Sequence, residues 1–503
     1  MYTENRATAV FHPLTEPEFM QPLCTKSIKE IFSSCSDFEN RQIDLGLENK
    51  ISVTVCWLDG TVLGTEVSAS VIRPLTQAVR SGVCRDELSA ASRAMQGGVY
   101  CCSAKMYDNC DDTVYALTHG HCAVIFDGIG RALCFELRSP HMRAVSEPTL
   151  EKTLKGAKDS FVENLRSNTF LVRRRISSPK LKLVESDVGR KSRTRVAVMF
   201  MDGVAAPETV GELAKRLDQL DIDALLALGI LEESLSDHPR SPFPQFIHTE
   251  RVDRFAMHLM DGRIGILVDG LPVGLVLPVT LAEFMKVTGD SSMHYIISSA
   301  ITLLRYFALV LSIVLPGFYV AVAMYHQELI PTKLLLSIIE AKQNVPFSTA
   351  IEVLGMMVAF SLLQEAGLRL PTPVGDTVSI IGALIVGQSA VEARVISPIA
   401  IIVVALSGIA GYALPSQDMG YAVRLLRFIL VLAAIIGGLY GVGLCLCVLI
   451  FTLSSMDSFG VNYTAPLSDG SPGGLRRLLL REPKRQNKFR DPALNTPDKR
   501  RQK

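Results

Sequence analysis

Apolar and polar positions are distributed very differently in the two parts of this chain. Up to residue 294 apolar runs are short and interrupted by charge, whereas residues 295–455 are nearly continuous hydrocarbon. In the first part, ISVTVCWLDG closes at Asp59-Gly60 and RVAVMFMDG closes at Asp202-Gly203, an offset of 143 residues. Both are alternating, β-branched runs ended by a turn dipeptide, which predicts strands. GHCAVIFDG and GRIGILVDG follow at an offset of 142 residues, each leading into another apolar run as in a β-hairpin. PETVGELAKRLDQLDIDALLALG keeps Val210, Leu213, Leu217 and Leu220 at helical spacing. Two landmarks repeating at almost one spacing predict two related α/β subdomains, 45–142 and 195–294. An N-terminal segment (1–44) precedes them and a basic helical linker (143–194) joins them. The Asp-Gly pairs read as turn chemistry rather than catalytic acids.

A helix needs about 20 apolar residues to cross hydrocarbon. Residues 299–325, 347–364, 377–393, 396–414 and 426–452 qualify within a 295–455 membrane domain of about four to six apolar helices, and 331–345 reads as interfacial or re-entrant. Arg305 lies near the start of the first run, placed to snorkel to the surface, and Pro316 lies in its middle, where it predicts a kink. Glu352, Glu365 and Arg369 bring charge to the second run and the polar break after it. The fold class expected is an α/β cytoplasmic head of two related subdomains plus an all-α polytopic membrane domain.

Composition narrows this further. The 503 residues are 48% apolar and 20% charged, with mean hydropathy +0.28 and net charge +1. That excludes a dominantly disordered chain. Nine of the eleven cysteines precede residue 135 and none forms a CxxC pair, the pattern of reduced thiols in a cytoplasmic head. The N-terminus has no basic cap followed by an apolar run, so no secretory signal is expected. Residues 474–503 hold eleven Lys/Arg against three acids, which the positive-inside rule keeps in the cytoplasm. That 456–503 tail, with three prolines after 480, is expected to be unstructured and to touch anionic lipid rather than nucleic acid. If head and tail share a side, crossings must be even in number. Five candidates are odd, so four full crossings with one segment broken or interfacial is the favoured count. No P-loop, Rossmann glycine pattern, nucleophile elbow or metal cluster is apparent, so neither an enzyme nor a cofactor or metal is expected.

Gly382, Gly387, Gln388 and Ser389 lie inside the third apolar run. Small and small polar residues there serve either close helix packing or a water-filled path. The stretches FPQFIHTERVD, GRIGILVDGLP, LPGFYVAVAMYHQELIPTKLL, EAGLRLPTPVG, SIIGALIVGQSAV, ISPIAIIVVAL and SFGVNYTAP resemble the GerA family, the A subunits of bacterial spore germinant receptors. The resemblance covers about residues 145–466. The chain departs from that pattern at Met357 and Ser361, where the family commonly carries acids, at Gln364 (arginine), Val252 (proline) and Arg394 (glycine).

The resemblance implies a subunit of a multi-protein receptor in the spore inner membrane, working with a permease-like B subunit and a lipoprotein C subunit. It implies a homo-oligomeric ring, with five copies as the expected size, that forms a nutrient-gated ion channel and triggers germination. On that reading the Gly382–Ser389 face lines the conduit, and Ile385 and Val386 are the apolar gate. The alternatives are an amplifying paralogue without direct nutrient sensing, a secondary transporter, and a membrane scaffold.

Overall fold

The structure is a computed structural model. It describes residues 21–44, 51–80, 86–95, 99, 103–137, 148, 151, 153, 155–343, 345–369, 385–468, 473–483 and 485–502. The head contains two five-stranded antiparallel sheets. Helix α1 (Thr25–Ile31) leads into β1 (Phe38–Asp44) and β2 (Ser52–Leu58). After a helical passage come β3 (Ala104–Tyr107), α2 (Cys110–Thr118), β4 (His121–Phe126) and β5 (Arg131–Glu136). The second copy runs α3 (Leu165–Arg175), β6 (Leu181–Val188), β7 (Thr194–Met201), α4 (Pro207–Asp218) and α5 (Leu228–Leu235). It ends with β8 (Ile247–Thr249), α6 (Val252–Met260), β9 (Ile264–Val268) and β10 (Gly274–Leu277).

Strand order is β1-β2-β4-β5-β3 in one sheet and β6-β7-β9-β10-β8 in the other, the same topology twice. The sequence repeat is thus a structural one. The subdomain starts expected at 45 and 195 fall one strand late, because β1 and β6 belong to the sheets. The reason is physical. Both are edge strands, and β1 (FENRQID) has no buried residue, so it lacks the apolar alternation that marks an interior strand.

The hairpin aspartates do the turn work expected of them, and more. Asp127 Oδ1 accepts from the backbone N–H of Thr25 at 2.7 Å. Its repeat counterpart, Asp269 Oδ1, accepts from the N–H of Leu165 at 3.0 Å. Each satisfies the first free donor of the helix that opens its own copy. The copies are joined by an ion pair with almost no solvent contact: Arg173, 2% exposed, grips Asp37, 1% exposed. Arg173 Nη2 donates to Asp37 Oδ1 at 2.8 Å, and Nη1 donates to the Leu181 carbonyl at 3.2 Å.

The helical half comprises α7 (Tyr295–Tyr325), α8 (Thr332–Lys342), α9 (Thr349–Arg369), α10 (Pro398–Tyr412) and α11 (Gln417–Ser455). Among the described residues three helices, α7, α9 and α11, are long and apolar enough to cross a membrane. The 426–452 run, expected to be one crossing, is not one straight helix. At Gly438 the backbone takes φ 56, ψ −140, which breaks helical geometry within α11. A straight 39-residue helix would be about 58 Å long. Yet Asp418, at its start, meets His248 and Glu232 lies on that same imidazole, while Phe459, just past its end, meets Asp237. Glu232 and Asp237 are five residues apart, so at most about 18 Å separates them. The helix must fold back on itself.

Contacts along α7 give the directions. Ser312 meets Arg427, Gly317 meets Leu430 and Tyr325 meets Ile435, so the first limb of α11 runs parallel to α7, away from the head. Ser312 also meets Ser407 on α10. The second limb returns, and Met456–Tyr463 dock on the second subdomain, with Tyr463 fully buried. The helical half therefore begins and ends at the head.

The 456–503 tail differs from its expected unstructured state. Arg481 binds the Asp290 carbonyl and donates from its backbone N–H to Ser299 Oγ at 2.9 Å. Arg490 Nε donates to the Met260 carbonyl at 3.1 Å, and Leu494 and Thr496 are buried. Composition pointed to disorder, but these arginines find carbonyl acceptors on the head.

Candidate functional site

Polar groups buried within the helices, and at their junction with the head, are where function concentrates, since such groups are costly in hydrocarbon. At the junction, Arg305 does not snorkel to lipid. It donates to both oxygens of Asp290 at 2.5 and 3.0 Å and to the Met285 carbonyl at 3.0 Å, tying α7 to the loop that ends the head. His248 sits between Asp418 at the foot of α11, 2.8 Å from its Nδ1, and Glu232 on α5. Burial disfavours a charged imidazole, but the two carboxylates outweigh it and raise the His248 pKa to about 10. His238 meets Asp457 at 2.8 Å, just after the return limb. The head thus holds both feet of the helical hairpin.

Deeper in, Arg427 donates to Ser312 Oγ at 2.6 Å, and that hydroxyl donates on to the Ser407 carbonyl at 2.9 Å. Pro316 is buried one turn beyond Ser312, and its missing N–H leaves the Ser312 carbonyl without its usual helical donor. Gly411 leaves room for the guanidinium: a Cβ there would lie 2.9 Å from Arg427 Nη2. Arg427 was not singled out from sequence, although an arginine at the second position of the 426–452 apolar run (LRFILV) was the available signal.

Farther from the head, Glu352 is 2% exposed. Its Oε2 accepts from the Ser397 N–H at 2.8 Å and its Oε1 lies 3.2 Å from Lys342 Nζ. Although it stands in the first turn of α9, Lys342 and Ser397 enclose it. Ser361, at one position where the resemblance expected an acid, donates its hydroxyl back to the carbonyl of Met357, at the other. Arg394, where glycine was expected, has φ 58, a conformation that glycine adopts freely.

The remaining sequence candidates are not gathered into one place. Gly382 lies outside the described residues. Ile385–Ser389 form a π-helical turn, in which Gln388 is exposed and donates to Glu392 at 3.0 Å. Glu365 is exposed, and Arg369 ends α9.

Residues 26–493 match the family model described as Bacillus/Clostridium GerA spore germination protein. The chain belongs to the GerA spore germination family. It is 34% identical to spore germination protein KA of Bacillus subtilis, over 97% of this chain and 89% of that protein. It is also 34% identical to the B. subtilis membrane protein YfkQ, over 89% of this chain and 86% of that one. Spore germination protein B1 of B. subtilis is 36% identical over 75% of this chain and 78% of its own length. Among solved structures, the N-terminal domain of the A subunit of the Bacillus megaterium spore germinant receptor GerK3 is 30% identical, covering 50% of this chain and 92% of that one, with TM-score 0.39. GerA family membership agrees with the resemblance read from the sequence, and the membrane character of the family fits the three long apolar helices.

Proposed function

We propose that this GerA family protein is an A-type subunit of a spore germinant receptor, which oligomerises in the spore inner membrane and forms a nutrient-gated ion conduit. The head and tail face the cytoplasm, and a permease-like B subunit and a lipoprotein C subunit complete the receptor. The observation that carries this reading is the retention of charged and hydroxyl groups within the helices, at Arg427–Ser312 and Glu352–Lys342. Lipid-facing helices do not keep such groups, whereas an ion path or a moving interface needs them. The hairpin clamped at both feet supplies a mechanical link: a shift of neighbouring heads would tilt both limbs together. Ile385 and Val386 are the proposed gate and the Gly382–Ser389 face the lining, with five copies as the proposed ring.

The test is ion efflux from liposomes holding the full chain with its B and C partners, before and after addition of nutrient amino acids or sugars. Nutrient-dependent efflux that changes on Ile385→Ser or Val386→Trp is expected. Efflux absent under every nutrient, from a correctly inserted assembly, would overturn the conduit; efflux unaffected by either substitution would overturn the gate.

A further inference from the structure

A buried carboxylate in the part of the bundle far from the head is covered by a cation that belongs to the chain itself. Glu352 Oε1 has Lys342 Nζ at 3.2 Å, off the direction of a good hydrogen bond, so this oxygen keeps free acceptor capacity while 2% exposed. Lys342 also donates to Thr349 Oγ1. The Tyr319 hydroxyl is buried beside Ser397, within electrostatic reach of the same carboxylate. Tyr319 is six residues before the far end of α7, so the cluster lies roughly 9 Å inside that end.

The helix that delivers the lysine is loosely seated. Ile338 is the one buried residue of α8, while Leu334, Leu336 and Ile339 are each more than half exposed. Among the described residues, little besides Ile338 and the lysine tip therefore holds α8 against the bundle. If α8 moves outward, Lys342 leaves and Glu352 is stranded as an unpaired buried charge. Its neighbours are then a carboxylate oxygen and hydroxyl oxygens, the donor set that hard cations take. One carboxylate balances one positive charge, and a divalent ion would leave excess charge in a low-dielectric site.

We propose that Glu352, Thr349 and Tyr319 form a monovalent-cation site for which Lys342 is the resident, tethered occupant, displaced when α8 lifts. The purpose of the site rests on the ion-conduit reading, but occupancy does not. Its test reads binding without flux, so failure of one is distinguishable from failure of the other.

Full-length protein in detergent is melted in chloride salts of potassium, sodium, methylammonium and N-methylglucamine at equal ionic strength. Wild type should melt alike in all four. Lys342→Ala should melt at least about 2 °C higher in the three small cations than in N-methylglucamine. The Lys342→Ala, Glu352→Gln pair should lose that difference. A Lys342→Ala protein that melts alike in all four overturns the proposal. So does one stabilised only by acid, since Glu352 then takes a proton instead. Should Lys342→Ala fail to fold, wild type gives the answer by mass-spectrometric amine acylation. Potassium should speed modification of Lys342, relative to N-methylglucamine, with other lysines as internal controls; an unchanged rate at Lys342 overturns the proposal.

Discussion

Charged residues in this protein are worth most where they join parts that would otherwise move independently. Asp37 and Arg173 tie the two copies of the head and are almost completely buried. Removing one partner leaves the other as an uncompensated interior charge, which costs about 3–5 kcal/mol. Asp37→Ala should therefore lower the melting temperature of the full chain sharply, while an Asp37→Leu, Arg173→Met pair should restore most of the loss. A double variant as unstable as the single would mean that the charges themselves are needed. His248 behaves differently because it titrates. Its pKa is raised to about 10 from an ordinary 6.5, so its contribution is fully present below about pH 6.5 and disappears as pH rises through 10. Wild type should lose melting temperature between pH 7 and pH 10 relative to His248→Gln. Parallel pH curves for the two proteins would show that the imidazolium does not hold α11. None of these partnerships was legible in sequence. Asp37 and Arg173 are 136 positions apart, and nothing about either residue type names its partner. What could be read was local: the Asp-Gly turns, and the carboxylate at Glu352 as an unusual residue for its surroundings.

At the scale of elements, Gly438 decides the shape of the helical half. Its φ 56, ψ −140 is open to glycine and strained for other residues. A Cβ would also lie 3.1 Å from the His326 ring and 3.2 Å from Tyr325. Gly438→Ala should destabilise the protein by about 1–3 kcal/mol. Gly443→Ala, in the same limb with open space around it, should be neutral or slightly stabilising. Equal melting of the two variants would sink the hairpin. Hydropathy could not reveal this reversal, because LAAIIGGLYGVG is uniformly apolar and a glycine pair within it fits close packing equally well. Repeated strands were legible because the interior strands are apolar and buried along most of their length, and four of them close on an Asp-Gly turn. Edge strand β1 was missed because none of its residues is buried, and β6 because Glu185, Ser186 and Asp187 interrupt its apolar positions. The tail was misread because composition reports the tendency to disorder, not the presence of acceptors such as the Met260 carbonyl.

For the whole molecule, the decisive consequence is topological. Asp418 and Asp457 both dock on the second subdomain, through His248 and His238, so Ser416 and Ser455 lie on one side of any membrane that the hairpin enters. The first limb, 21 residues from Gln417, is about 31 Å long and the second, ending at Ser455, about 25 Å. Each is close to the hydrocarbon thickness of roughly 30 Å. Single cysteines at Ser416, Ile436 and Ser455, placed in a chain whose native cysteines are replaced, therefore make a direct test in sealed vesicles. A membrane-impermeant thiol reagent should label Ser416→Cys and Ser455→Cys from the same face, and Ile436→Cys from the opposite one. A continuous helix would place the two ends on opposite faces, which a single labelling experiment would reveal. The consequence reaches beyond counting crossings. If both feet are held by the head, the two limbs cannot slide independently, and any rotation of the second subdomain must carry the turn at Gly438 with it. That turn packs on Tyr325, the last residue of α7, whose hydroxyl donates to the Ile435 carbonyl at 2.5 Å. Motion in the head would thus reach the opposite surface through rigid helices, seven residues before α8 begins at Thr332.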